Sequence, residues 1–200
     1  MTAPDQRDGA APGTHARHAL FVTAETEARE TWEFQPAYIL SSLRTVAYAH
    51  AEAIASGRPS APEETKRRIA RQRLLADTGR QFKFLMTEGA LRWQLGSAEV
   101  MREQIDHLLA LNRRPNIEVG IVPWRRPVQV TAGHAFHIYD QALVVVGTAH
   151  TVIRTSAAAD VTTYRELYRK LEQYAAHGTE ADSEMRRIRD EFHAIEGFSA

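Results

Sequence analysis

Apolar residues recur along this chain at two spacings, helical in the first half and strand-like past the middle. Ala19 to Val22 is a short apolar run ahead of the acidic stretch Glu25 to Glu30, and a helix is expected over Thr23 to Glu33. Gln35-Pro36 breaks it, since the residue before proline avoids helical geometry. Pro36 can open the next helix, which carries Ile39, Leu40, Leu43, Val46, Ala47 and His50 on one stripe and ends at Gly57-Arg58-Pro59. Ser60 to Glu63 reads as a capping box for a helix running to about Asp77 and closed by Thr78-Gly79. Phe82 to Met86 reads as a buried strand and Glu88 to Leu95 as a short helix stopped by Gly96. Ser97 caps a long amphipathic helix carrying Val100, Met101, Ile105, Leu108, Leu109 and Leu111, which ends over Asn112 to Pro115.

From Ile117 the period is two. Ile117, Val119 and Ile121 alternate onto one face. Pro123-Trp124-Arg125-Arg126-Pro127 is a loop held between two prolines, and Val128 to Val130 is expected as a short edge strand. Ala135 to Tyr139 and Ala142 to Val146 are strands about a tight Asp140-Gln141 turn, followed by Thr151 to Thr155. Links this short favour an antiparallel meander. Two helices finish the chain: Asp160 to Ala176, with Val161, Tyr164, Leu167, Tyr168, Leu171 and Tyr174 inward, and, past Gly178, one marked by Met185, Ile188, Phe192 and Ile195. The expected fold is α+β, an antiparallel sheet of about five strands packed with amphipathic helices. Residues 1–18 read as a disordered leader and 19–200 as one domain.

Composition narrows the function classes. There is no cysteine, which removes disulfides, thiolate metal sites and a cysteine nucleophile. Lysines and arginines equal aspartates and glutamates at 25 each, so no global charge steers the protein to DNA or to acidic membranes. No apolar run approaches a membrane span or a secretory signal, and a cytoplasmic location is expected.

Candidate chemistry is sparse. The segment with Lys66, Arg67, Arg68, Arg71 and Arg73 could meet phosphate, but Glu63, Glu64 and Asp77 balance it as they would a solvated face. His134 and His137 are three apart in a strand and point to opposite faces. His15 and His18 lie in the leader, so no metal site is expected. No G-x-S-x-G turn and no glycine-rich phosphate loop occur, and no cofactor is expected. Glu88 stands where a strand meets a helix, with Arg92 one turn on, a pair that serves as helix support or at the end of a pocket. Trp124, on its proline-bound loop, either anchors a ligand or partner or folds back onto the core.

Several segments, in this order and spacing, resemble a known family. They are Leu43-Arg44-Thr45-Val46-Ala47-Tyr48-Ala49-His50-Ala51, Arg68-Ile69-Ala70-Arg71-Gln72, Glu88-Gly89-Ala90-Leu91-Arg92 with Gly96, and Val100-Met101 with Glu103-Gln104 and Leu108-Leu109. Pro115-Asn116-Ile117, Val122-Pro123-Trp124 and Gly133-His134-Ala135-Phe136 complete the set. From about Glu25 to Ala176 the chain is similar to the DUF5753 domain of Scr1-like, antitoxin-type transcriptional regulators of actinobacteria. Two positions depart from that pattern: Leu40-Ser41 stands where the family has Pro-Gly, and Gly147-Thr148 where an acidic residue usually ends the strand.

The resemblance implies a domain that senses a signal or contacts a small DUF397 partner, normally behind a helix-turn-helix of the XRE class. The short segment upstream of the match has no room for that unit, so specific binding to duplex DNA is not expected. The expected function is regulatory, binding a small molecule or a small protein. The alternative is a cofactor-independent biosynthetic enzyme of cyclase or isomerase type, with Glu88 or His134 moving the proton. In either case the expected site is Tyr48, Glu88, Arg92, Trp124 and His134.

Overall fold

A computed structural model describes residues 23–57, 70–148 and 151–196. Its centre is one six-stranded sheet in the order β3-β2-β1-β4-β5-β6. The strands are β1 (Glu30–Gln35), β2 (Gln81–Thr87), β3 (Ile117–Val122), β4 (Phe136–Tyr139), β5 (Leu143–Gly147) and β6 (Val152–Thr155). The named helices are α1 (Val46–Ala55), α2 (Glu88–Arg92), α3 (Ala98–Leu111), α4 (Ala158–Glu172) and α5 (Gly178–Glu196), with a 3-10 turn at Ser41–Leu43. Residues 23–27 and 70–76 are also helical.

The sheet is mixed, which corrects the antiparallel expectation. β1, β2 and β3 run parallel, and β4, β5 and β6 follow antiparallel. A parallel pair needs a long crossover, and two helices stand between Phe82 to Met86 and Ile117 to Val122. The strand missing from the count is β1. The acidic run suggested a helix to Glu33, yet the helix stops at residue 27. Thr31, Glu33 and Gln35 alternate with Trp32 and Phe34, which is a strand period. β1 pairs parallel with β2 and antiparallel with β4, so it joins the two kinds of pairing.

Three smaller expectations change. The stripe from Ile39 is not one helix: Ile39, Leu40 and Leu43 are buried around the 3-10 turn, and α1 begins at Val46, which is exposed. Val128 to Val130 has no strand pairing. Arg71 does not lie on a solvated face; it pairs with the buried Glu25 at 2.7 Å. The leader, the Ser60–Glu63 capping box and Lys66 to Arg68 lie outside the described residues.

The sheet faces differ, and this positions the site. On one face Phe82, Phe84, Met86, Ile117, Val119 and Ile121 pack beneath α3 and α5. On the other, Trp32, Phe34, Phe136, Ile138, Val144 and Val146 pack beneath Val161, Tyr168 and Leu171 of α4. The first face stops being apolar at β1, where Glu33 stands beside Phe84 and Gln35 beside Met86. Thr31, Glu33 and Gln35 are all buried there.

Candidate functional site

Glu88 is the hub of the predicted residues. Thr87 caps α2 by accepting from the Ala90 N–H, which fixes Glu88 at the strand–helix junction. The buried carboxylate accepts from Arg92 Nε at 2.7 Å, Arg187 Nη2 at 2.7 Å and the Trp124 N–H at 2.8 Å. Burial alone would raise its pKa, but the hydrogen bonds from Arg187, the Trp124 amide and Arg92 outweigh burial and hold it at about 2. A carboxylate so paired is ionised at neutral pH and carries no proton to transfer. It ties three parts of the chain, because Arg92 and Arg187 both also reach Glu191 on α5.

Trp124 completes this cluster. Its ring lies 5.4 Å from the Arg92 guanidinium and against Gly89, where a Cβ would come within 3.3 Å of it. Trp124 is nonetheless 65% exposed. Glu88, Arg92 and Trp124 are therefore together, and the other two predicted residues are elsewhere. Tyr48 is fully buried, its hydroxyl accepting from the Ile39 N–H at 3.3 Å. His134 is exposed and shares a 3.0 Å hydrogen bond with the Tyr164 hydroxyl of α4, across the sheet from His137.

A second constellation sits on the polar part of the sheet. His137 of β4 stands opposite Glu33 of β1 in the register, its Nδ1 3.4 Å from Glu33 Oε2. Ser42 Oγ donates to the same carboxylate oxygen at 3.2 Å. Burial works to raise the Glu33 pKa, but His137, Arg71 and Ser42 reverse it and the net direction is down. Beneath lies the Glu25–Arg71 pair, and Arg71 also donates to Ser41 Oγ at 3.2 Å. Buried ion pairs seldom add net stability, which makes this group a candidate site.

Above this group opens a cleft of about 410 Å³, lined by Gln35, Tyr38, Leu40, Ser41, Arg44, Ala135, His137, Gly147 and Thr148. It lies where the end of β1, the start of β4 and the end of β5 come level. Ala135 and Gly147 are small, so the sheet gives it a low floor. Arg44 forms part of the wall, its Nε donating to the Ile39 carbonyl at 2.9 Å and its Nη1 to Glu52 at 3.3 Å. Leu40, Ser41, Gly147 and Thr148 all lie on this lining. The sequence signals that could have found it are the alternation from Thr31 to Gln35 and the opposite facing of His137 and His134.

Among the described residues no group of three or more histidines, aspartates or glutamates converges to hold a metal. No helix among them is long and apolar enough to cross a membrane.

Comparison with curated proteins returns no match. Among solved structures the chain is similar to NUC, a phospholipase D family member from Salmonella typhimurium, with TM-score 0.47 and 11% identity over 80% of this chain and 90% of that one. It is also similar to NucT from Helicobacter pylori, with TM-score 0.48 and 12% identity over 82% of this chain and 92% of that one. Likeness at this level carries no inference about chemistry. The model of the domain of unknown function DUF5753 matches residues 18–187, and the chain belongs to that family.

Proposed function

We propose that this chain is a signal-sensing domain of the regulator type, which binds a small molecule in the cleft over Glu33 and His137. The cleft carries this reading. It is of the size that drug-sized ligands occupy, it mixes Tyr38 and Leu40 with polar groups, and it lies over buried charges that core packing does not require. The two departures from the family pattern fall on its lining, as a change of ligand would produce. A second reading, a cofactor-independent biosynthetic enzyme, draws on the same pair, since a histidine beside a buried carboxylate can serve acid–base chemistry.

The test is a thermal-shift screen of small molecules against three proteins: wild type, Ala135→Leu, which fills the cleft, and Trp124→Ala, which strips the exposed ring. Compounds that raise the melting temperature of wild type and of Trp124→Ala, but not of Ala135→Leu, support the cleft. Equal responses in wild type and Ala135→Leu overturn it. A response lost only in Trp124→Ala moves the binding surface to α2 and its loop. Turnover of a bound compound, lost in His137→Gln, selects the enzyme reading.

A further inference from the structure

Arg71, from the helical residues 70–76, holds on to two parts of the chain at once. Its Nη1 donates at 3.2 Å to Ser41 Oγ, and Ser41 opens the 3-10 turn on the lining of the cleft. Its Nε donates at 2.7 Å to Glu25, which belongs to the helical turn of residues 23–27. Glu25 is buried, so salt and solvent screen this pair little. Arg71 has another carboxylate within its field, Glu33, whose pKa it helps to lower. The guanidinium thus lies between a partner on the turn and groups beneath the cleft, and whatever engages Ser41 decides how firmly Glu25 keeps it.

The turn that Arg71 holds depends on its docking, because a helix so short does not persist alone in water. Among the described residues its apolar anchors are two alanines, Ala24 and Ala28, which pack with Tyr139, Val145 and Val152. Arg80 secures its far end, donating to the carbonyls of Glu25, Thr26 and Ala28. The Ala28 N–H closes the turn on the Ala24 carbonyl at 3.1 Å. The next two N–H groups, of Arg29 and Glu30, are held separately by Asp140. The turn can therefore loosen without β1 leaving the sheet.

Resting on the cleft reading above, we infer that Ser41, Arg71 and Glu25 form a lever that couples the lining of the cleft to the helical turn at residues 23–27. A group that presents a hydrogen-bond acceptor beside Ser41 draws the guanidinium away from Glu25. The buried carboxylate then loses its partner, which is costly, and the turn loosens. Coupling of this kind is reciprocal: anything that holds the turn docked keeps Arg71 on Glu25 and opposes such a group in the cleft.

A substitution can place the acceptor directly. In Ser41→Asp a carboxylate on the lining competes for Arg71, and amide hydrogen exchange is followed by NMR in the ¹⁵N-labelled full chain. The Ala28 amide is expected to exchange about tenfold faster than in wild type, with the Arg29 and Glu30 amides unchanged. Glu25→Gln, which weakens the lever at its other end, should give a similar rise. The double variant should show no further rise, because both changes act on one link. If Ser41→Asp fails to fold, Ser41→Asn offers Arg71 a neutral acceptor and should speed Ala28 exchange about threefold by the same pattern. Exchange at Ala28 equal to wild type would overturn the lever. So would a rise shared by Arg29 and Glu30, or a double variant in which the two rises multiply. No ligand enters any arm, so such a result removes the link to the turn and leaves binding in the cleft to the thermal-shift comparison.

Discussion

Glu88 and Trp124 meet through one hydrogen bond, yet their side chains contribute very differently. The Glu88 carboxylate is buried and accepts from two guanidinium groups and an amide. Removing it leaves Arg92 and Arg187 without their shared partner, and Glu88→Ala should cost about 3 kcal/mol by urea denaturation. Trp124 reaches Glu88 through its backbone N–H, which any residue supplies, and its ring is mostly exposed. Trp124→Ala should therefore cost less than about 1 kcal/mol, chiefly the contact with Arg92. The Glu88 pKa also sets a pH dependence. Its folded value of about 2 lies below the unfolded glutamate range, so its stabilisation is complete above about pH 5 and is lost as the pH falls towards 2, by about 3 kcal/mol. Glu88→Gln should flatten that part of the stability–pH curve. An equal acid loss in the variant would show that other carboxylates carry it.

Elements whose local signal agreed with their packing were legible in the sequence. Ser97 caps α3, accepting from the Val100 N–H at 3.3 Å, and Met101, Ile105 and Leu108 are buried as their spacing required. The Asp140-Gln141 turn is likewise as expected, and both residues have positive φ, 49° and 54°. Ala142 completes a three-residue connection, since Tyr139 stands opposite Leu143. Asp140 also accepts from the Arg29 and Glu30 N–H groups at 2.8 and 2.9 Å, anchoring the start of β1 to the hairpin. Asp140→Ala loses both bonds and a residue tolerant of that backbone. The expected cost is about 2 kcal/mol by chemical denaturation, whereas Asp140→Asn should cost less than half as much. What was not legible was β1 and everything built on it. Its five alternating residues are short beside the acidic run before them, and its polar side is buried rather than wet, so it lacked the usual apolar-in, polar-out contrast. The Glu33–His137 pair needs residues brought together by that strand, and no local spacing announces it. The Glu88–Arg92–Trp124 group was easier to find, because it sits at a strand–helix junction and a proline-bound loop.

Across the whole molecule, the strand order places β1 between partners that come late. β2 reaches it only after the segment through residues 70–76, and β4 only after α2, α3 and β3. Trp32 in β1 stands opposite Ile138 and packs on Tyr168, with ring centroids 5.0 Å apart, so it touches both the middle and the end of the chain. The other two tryptophans, Trp93 and Trp124, are exposed. A protein with Trp93→Phe and Trp124→Phe should keep its stability and report through Trp32 alone. Contacts this distant in sequence are entropically expensive to close before they are rewarded. Trp32 fluorescence should thus change only in the slowest refolding phase, after most helical circular dichroism has returned. Simultaneous recovery of the two signals would mean that closure is not the limiting step. The cleft is walled on both sides of this same seam, by Gln35 of β1 and by His137 of β4 with Ala135 just ahead of that strand. If that seam closes last, the pocket forms last with it, and a compound that occupies it should act as a pharmacological chaperone, slowing the first step of unfolding more than it speeds assembly.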